Sequence, residues 1–211
     1  MAFIVFEGLD ACGKSTLIEK VTQSLQNMQM DPLVLRDPGA TELGERLRDL
    51  ILSTKSEPPV PKAETLLYQA ARVQMVEKKI KPALKEGRWV LCDRFYSSTV
   101  AFQSYARGLD RQDIDSLNEF VAGDAKPDLF ILIDISLEES QRRKTSRAQD
   151  SGVKMDRLEL EAQQFQQKVK QGYDEQAAAN PKNWLVLDGT LTPDQLCEAT
   201  LSELRRRQWL G

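Results

Sequence analysis

Short apolar runs alternate along the chain with longer stretches in which apolar residues recur every three or four positions. The runs occupy residues 2–6, 33–35, 89–92, 129–133 and 184–187. Runs of this length, bounded by polar or turn-forming residues, are typical of strands that are covered on both faces. The pattern therefore predicts five buried strands.

Helical periodicity fills the segments between these runs. Leu43, Leu47, Leu50 and Ile51 recur at helical spacing, and residues 63–84, 163–179 and 193–207 also have helical patterns. Strands that alternate with helices favour a parallel sheet with right-handed crossovers. We therefore predict a single α/β domain over residues 1–211, with a central five-stranded parallel sheet flanked by helices on both faces. Ligands are expected at the carboxyl ends of its strands.

The first apolar run leads directly into a glycine-rich loop. Residues 8–15, GLDACGKS, match the phosphate-binding pattern G-x-x-x-x-G-K-[ST], and a helical segment follows. The two glycines let backbone N–H groups turn toward phosphate oxygens, while Lys14 adds charge and Ser15 can reach Mg²⁺. This P-loop predicts an ATP site formed by Gly8, Leu9, Asp10, Ala11, Cys12, Gly13, Lys14, Ser15 and Thr16.

An acidic and a basic residue follow the third predicted strand. A carboxylate at Asp93 can hold Mg²⁺ through water, so we expect Ser15 and Asp93 to form the metal site. The guanidinium of Arg94 can bridge two phosphoryl groups. The pair therefore predicts phosphate chemistry beyond simple nucleotide binding.

Composition excludes several other classes of function. The 211 residues include 29 basic and 32 acidic residues and no histidine. The resulting net charge of -3 disfavours broad contact with a nucleic-acid backbone, and a catalytic imidazole is ruled out. The three cysteines lack the spacing of a zinc site or a disulfide framework. With neither a secretion signal nor a membrane-spanning run in the pattern, we expect a cytoplasmic protein that binds neither membranes nor nucleic acid.

Five motifs in a fixed order resemble those of bacterial thymidylate kinases, which are P-loop nucleoside monophosphate kinases. They are GLDACGKST, RDPGATELGERLR, LLYQAARVQMVE, DRFYSSTVAFQ and DRLE. The resemblance extends from residue 3 to about residue 187. It implies ATP-dependent, Mg²⁺-assisted phosphorylation of dTMP to dTDP in dTTP biosynthesis, by a homodimer.

The resemblance also implies an acceptor site. Arg36 would bind the acceptor phosphate, Tyr68 would stack on the thymine, and Arg72 would donate to a thymine carbonyl. Asp37 stands where bacterial relatives usually have glutamate. The implied dTMP-binding residues are Asp10, Arg36, Tyr68, Arg72, Arg94, Ser98, Thr99, Phe102 and Gln103.

The basic segment over residues 141–157 matches the small mobile lid of the family. Some members carry an arginine in the P-loop where this chain has Ala11, so the resemblance implies that the lid supplies that charge. Arg147 is the expected catalytic arginine, Arg143 is expected to stack on adenine, and Lys154 and Arg157 are weaker candidates. The expected catalytic residues are Lys14, Asp93, Arg94 and Arg147.

Two other interpretations stay open at this point. One is a kinase for another pyrimidine monophosphate or for a deoxynucleoside, although Arg36 and Arg94 favour an acceptor that already carries a phosphate. The other is a P-loop regulatory protein that binds nucleotide without an acceptor. Such a protein would not need the Tyr68 and Arg72 platform.

Overall fold

The computed structural model of the chain describes residues 1–55, 57–151 and 155–210. The strands are β1 (Phe3–Glu7), β2 (Leu33–Arg36), β3 (Val90–Asp93), β4 (Leu129–Asp134) and β5 (Trp184–Asp188). Within these described ranges they form a five-stranded sheet in the order β2-β3-β1-β4-β5, and every pairing is parallel. The predicted parallel sheet is confirmed.

Each strand ends one residue later than its apolar run, on a charged residue. These terminal residues are Glu7, Arg36, Asp93, Asp134 and Asp188. They continue the backbone ladder, since Phe6 and Arg36 both pair with Asp93. Their side chains carry no apolar signal, so the hydrophobic pattern ends before the strand does. The carboxyl edge of the sheet is therefore lined by charge.

Helices cover the centre of the sheet on both faces, because consecutive residues of β1 point to opposite faces and all five are buried. The edge strands are less covered, since Val34 in β2 is 45% exposed and Val186 in β5 is 52% exposed, so the prediction of five buried strands is wrong for these two. The α-helices are α1 (Lys14–Asn27), α2 (Glu42–Leu52), α3 (Pro61–Met75), α4 (Lys81–Lys85), α5 (Tyr96–Thr99), α6 (Arg111–Ala122), α7 (Leu137–Ser151), α8 (Gln163–Ala179) and α9 (Pro193–Arg206). In the described parts of the chain, no helix has the length and apolar character that crossing a bilayer requires.

Among the residues that the structure describes, two segments adopt the wider π-helical geometry. The helix predicted over residues 63–84 consists of α3, a π-helical segment Val76–Ile80 and α4 in succession. A second π-helical segment, Val100–Ala106, continues α5. Such segments insert an extra residue into a helical turn and often occur near functional sites. The second one carries Phe102 and Gln103, two of the predicted acceptor residues.

Candidate active site

The loop between β1 and α1 wraps around the ammonium group of Lys14. Gly8 and Gly13 adopt φ angles of 137° and 107°, and a Cβ on Gly8 would lie 2.6 Å from the Ile133 carbonyl oxygen. Lys14 donates to the carbonyl oxygens of Gly8 at 3.2 Å and Leu9 at 3.1 Å. Since Gly13 caps α1 without a side chain, the positive end of the helix faces this loop. The loop therefore has the geometry of a phosphate site.

The P-loop opens on a cavity that we call the phosphate cavity. It is lined by Asp10, Ala11, Gly13, Lys14, Ser15, Thr16, Arg36, Asp37, Arg48, Asp93, Arg94, Arg143, Arg147, Asp156 and Glu159. Three other predicted ATP-site residues, Gly8, Leu9 and Cys12, are not part of this lining. The Leu9 and Cys12 side chains are buried, so they can contribute only backbone groups to a ligand.

One oxygen in the phosphate cavity suits a metal ion. Asp93 Oδ1 is buried and has no hydrogen-bond partner among the described residues. Asp93 lines the cavity together with Ser15, which is an exposed residue. Mg²⁺ binds oxygen ligands and usually keeps several waters, so one or two protein ligands are enough. The two residues fit the predicted Mg²⁺ site.

Glu7, at the carboxyl end of β1, is a buried hub that the sequence analysis missed. Its carboxylate accepts hydrogen bonds from the Phe95 amide at 3.0 Å and from the hydroxyl groups of Ser97 at 2.5 Å and Ser98 at 2.7 Å. The Tyr173 hydroxyl also donates to it, at 2.9 Å. These contacts hold residues 95–98 in place behind the phosphate cavity.

Arg94 projects from a left-handed backbone position with φ 69°. Its guanidinium donates to Asp10 Oδ1 at 2.6 Å and to the Tyr173 hydroxyl at 2.6 Å, and it lies 3.7 Å from Glu7 Oε2. Burial alone would lower the pKa of Arg94, but Tyr173, Asp10 and Glu7 raise it well above its ordinary value. Burial likewise opposes ionisation of Asp10, yet Arg94 and Lys14 hold the pKa of Asp10 below its ordinary value. Both groups are therefore charged at neutral pH.

A second cavity, which we call the acceptor cavity, adjoins the phosphate cavity. It brings together eight of the predicted acceptor residues, Asp10, Tyr68, Arg72, Arg94, Ser98, Thr99, Phe102 and Gln103. The ninth, Arg36, lines the phosphate cavity instead, where it donates to Glu45 at 2.9 Å. Asp10 and Arg94 line both cavities, so they mark where the two meet.

Arg72 lines the acceptor cavity and is 1% exposed. It donates to Asp37 Oδ2 at 2.5 Å, Gln69 Oε1 at 2.9 Å and Thr99 Oγ1 at 2.7 Å. Its Nη2 group lies 3.4 Å from the Phe95 carbonyl oxygen. A guanidinium has five N–H donors, and the described residues take four of them. Arg72 can therefore offer one N–H to a ligand from a fixed position.

Two further residues of the cavities were missed by the sequence analysis. Arg48 on α2 and Asp156 line both cavities. Arg48 donates to the Pro38 carbonyl oxygen at 3.1 Å, and burial together with neighbouring Arg36 lowers its pKa. Arg48 lies in the motif RDPGATELGERLR and Asp156 in the motif DRLE. Nothing in the helical pattern, however, distinguishes Arg48 from a solvated surface residue.

The lid arginines are held by carboxylates. Arg147 pairs with Glu159, and Arg143 donates to Glu139 at 2.5 Å and to the carbonyl oxygens of Cys12 at 3.3 Å and Gly189 at 2.9 Å. Arg143 therefore lies between the P-loop and the turn after β5. Residues 152–154 of the predicted lid, including Lys154, lie outside the described residues.

Similarity to known proteins extends over nearly the whole chain. A family model described as thymidylate kinase matches residues 6–199. The chain is 44% identical to a thymidylate kinase of Bdellovibrio bacteriovorus over 210 residues, which cover 100% of this chain and 98% of the relative. It is 40% identical to a thymidylate kinase of Trichlorobacter lovleyi over 93% of each chain. A thymidylate kinase of a Nostoc species is 37% identical, over 99% of this chain and 98% of the relative. The chain belongs to the thymidylate kinase family.

Proposed function

We propose that this chain transfers the terminal phosphoryl group of ATP to dTMP, giving ADP and dTDP, as its family membership indicates. The observation that carries the proposal is the junction of the two cavities at Asp10 and Arg94. A donor phosphate bound by the P-loop and an acceptor phosphate bound at the neighbouring cavity would meet beside the same guanidinium. Such an arrangement suits direct transfer between two bound nucleotides.

On the donor side, the P-loop binds the phosphates of ATP. The ammonium of Lys14 now rests on two loop carbonyl oxygens and exchanges these contacts for phosphate oxygens when ATP binds. Arg143, between Cys12 and Gly189, lies where it can stack on adenine. Ser15 and Asp93 would hold Mg²⁺, which neutralises phosphate charge when it is bound.

On the acceptor side, the pocket residues select a flat pyrimidine on a deoxyribose. Tyr68 stacks on the base and Arg72 donates its remaining N–H to a base carbonyl. Phe102 crowds the 2′ position of the sugar, and Asp10 accepts the 3′-hydroxyl. Ser98, Thr99 and Gln103 complete the pocket, and Arg36 binds the acceptor phosphate from the adjoining cavity.

The transfer step needs charge neutralisation more than a proton base, because the attacking oxygen of a monophosphate is already ionised. Lys14, Arg94 and Arg147 supply that positive charge. Arg147 pairs with Glu159 in this structure, so it exchanges a carboxylate for phosphate oxygens as the lid closes. Closure would also exclude water and suppress wasteful ATP hydrolysis.

A homodimer is part of the proposal. Helices α3 and α6 pack together, with Gln69 Nε2 donating to Asn118 Oδ1 at 2.8 Å. On these helices Leu66 is 58% exposed and Phe120 is 82% exposed. Large exposed apolar side chains favour burial against a partner surface. We place the dimer interface there and the protein in the cytoplasm; sedimentation at the mass of one chain would refute the dimer.

The test is an ADP-release assay with ATP and Mg²⁺ and a panel of acceptors. The panel contains dTMP, dUMP, dCMP, UMP, AMP, GMP and thymidine. We expect dTMP to be preferred and thymidine to be nearly inert, since it carries no phosphate for Arg36 and Arg94. Preference for another monophosphate would refute the roles given to the residues of the base pocket. Preference for thymidine would indicate a deoxynucleoside kinase. ATP turnover that does not depend on any acceptor would favour a regulatory protein.

A further inference from the structure

A buried carboxylate on α3 joins the wall of the acceptor cavity to the end of the lid. Glu64 is fully buried one helical turn before Tyr68 and accepts hydrogen bonds from Gln103 Nε2 at 2.9 Å and from Arg107 at 3.1 and 3.2 Å. Arg157, at the end of the lid, also donates to it. We call these four residues together with Glu161 the Glu64 cluster.

The Glu64 cluster is balanced in charge. Glu161 pairs with Arg107 at 2.5 Å and lies 4.0 Å from Arg157, so two carboxylates face two guanidinium groups. Burial alone would raise the pKa of Glu64, but the donors Arg107, Arg157 and Gln103 outweigh it and hold the pKa below its ordinary value. Glu64 is therefore ionised at neutral pH, and an ionised carboxylate only accepts hydrogen bonds.

That charge sets the direction of one amide. Because Glu64 can only accept, the NH₂ group of Gln103 must face it, and the side-chain oxygen of Gln103 must point the other way. Gln103 is 2% exposed and lines the acceptor cavity. None of the described residues donates to that oxygen. The cavity wall therefore presents an acceptor at Gln103 and a donor at Arg72.

Pyrimidine bases differ in what they offer to such a wall. Thymine and uracil carry an N3–H donor beside a carbonyl oxygen, whereas cytosine carries a bare N3 acceptor beside an amino group. A buried site built for one pattern rejects the opposite one strongly, because its polar groups are left unpaired. The acceptor at Gln103 and the donor at Arg72 match the thymine and uracil pattern and oppose that of cytosine.

We propose that Glu64 is a positioning residue that sets base selectivity, by holding the Gln103 carbonyl toward the base and so excluding cytosine nucleotides. The inference rests on the proposed function and extends it to a residue that touches no substrate. The same carboxylate holds Arg157, whose Nε donates to the Ile51 carbonyl oxygen at 3.0 Å at the end of α2. The buried carboxylate of Glu64 therefore both orients Gln103 toward the base and holds the end of the lid.

The test compares kcat/KM for dTMP and dCMP in the intact enzyme and in Glu64→Gln. A glutamine at position 64 can donate as well as accept, so the amide of Gln103 is free to turn and offer its NH₂ group to the N3 atom of cytosine. We expect the ratio of the two kcat/KM values to fall at least ~10-fold, since even one reversed hydrogen bond is worth that much. The fall should come from faster dCMP phosphorylation as well as slower dTMP phosphorylation.

Glu161→Gln is the matched control. It removes the other carboxylate of the cluster, which contacts both arginines but not Gln103, so the dTMP to dCMP ratio should stay at the wild-type value. If Glu64→Gln does not fold, Glu64→Asp keeps the charge but withdraws it from Gln103, and the same fall in ratio is expected. An unchanged ratio in a folded Glu64 variant, or an equal fall in Glu161→Gln, would overturn the inference. Failure of the wild type to phosphorylate dTMP would instead overturn the proposed function.

Discussion

Removal of the Arg94 guanidinium tests the centre of the proposed mechanism. Arg94 lines both cavities, contacts Asp10 and lies close to Glu7. Loss of one pre-positioned donor to a transition state typically costs about 2.7–4 kcal/mol, or a factor of about 10²–10³ in kcat. We expect Arg94→Ala to lower kcat at least ~100-fold, because the donor and acceptor phosphates would then repel each other without compensation.

The same substitution also lowers stability, and the structure separates the two effects. Breaking a buried ion pair costs about 3–5 kcal/mol, and the lower end applies here because the Asp10 side chain is 22% exposed. Arginine and alanine bear the same backbone strain at φ 69°, whereas glycine relieves about 1 kcal/mol of it. Arg94→Gly should therefore be about 1 kcal/mol more stable than Arg94→Ala and equally slow.

Steady-state ADP release at saturating ATP and dTMP measures kcat, and urea unfolding followed by circular dichroism measures the free energy of unfolding. Arg94→Lys keeps the charge but loses the two-pronged geometry, and it should fall between the wild type and the alanine variant in kcat. A fall of less than ~10-fold in both Arg94→Ala and Arg94→Gly, with each variant folded, would refute the role in transfer.

Two further predictions concern the buried carboxylates. Glu7→Gln should lower the free energy of unfolding by about 1.5–3 kcal/mol, because it removes charge from a carboxylate that accepts four hydrogen bonds. The control is Glu175→Gln, at an exposed carboxylate that accepts from Tyr105, which should change the free energy of unfolding by less than about 0.5 kcal/mol. Equal losses in the two variants would contradict the role of Glu7 as a buried hub. The depressed pKa of Glu64 means that its ionised form stabilises the fold above the ordinary value of 4.5, and that this contribution is lost as the pH falls through the lower folded-state value. The difference in unfolding free energy between wild type and Glu64→Gln should therefore be constant above pH 4.5 and shrink below it, as urea titrations across pH can measure; a difference that grows on acidification would show the opposite shift.

The fold could be predicted from sequence because the strands are nearly pure apolar runs. Residues 129–133 illustrate this, since the run is isolated by polar residues and the observed strand exceeds it by Asp134 alone. The π-helical segments could not be predicted, because an inserted residue alters the helical period too briefly to leave a periodic signal. The break after Met75 lies within an otherwise continuous helical pattern.

The candidate site could be predicted only in part. Motifs of adjacent residues, such as the P-loop and the Asp93 and Arg94 pair, can be recognised in the sequence because phosphate chemistry needs those residues side by side. Glu7 cannot be recognised in the sequence, because a glutamate at the end of an apolar run resembles any solvated strand end. Its role depends on the contact with Tyr173, which only the fold supplies. Arg48 and Glu64 cannot be recognised for the same reason, because the role of a charged residue on a helix depends on the neighbours that the fold supplies.

The strand order has a consequence for how the enzyme comes into being. The central strand β1 is synthesised first, yet its neighbours β3 and β4 begin at Val90 and Leu129, and Glu7 reaches its Tyr173 partner across 166 residues of sequence. Contacts so distant along the chain form slowly, because a long loop must close before any of them can stabilise the structure. A nascent chain that already contains the complete P-loop therefore still lacks the folded active site. Nearly the whole protein must leave the ribosome before a bound nucleotide can stabilise the folded state.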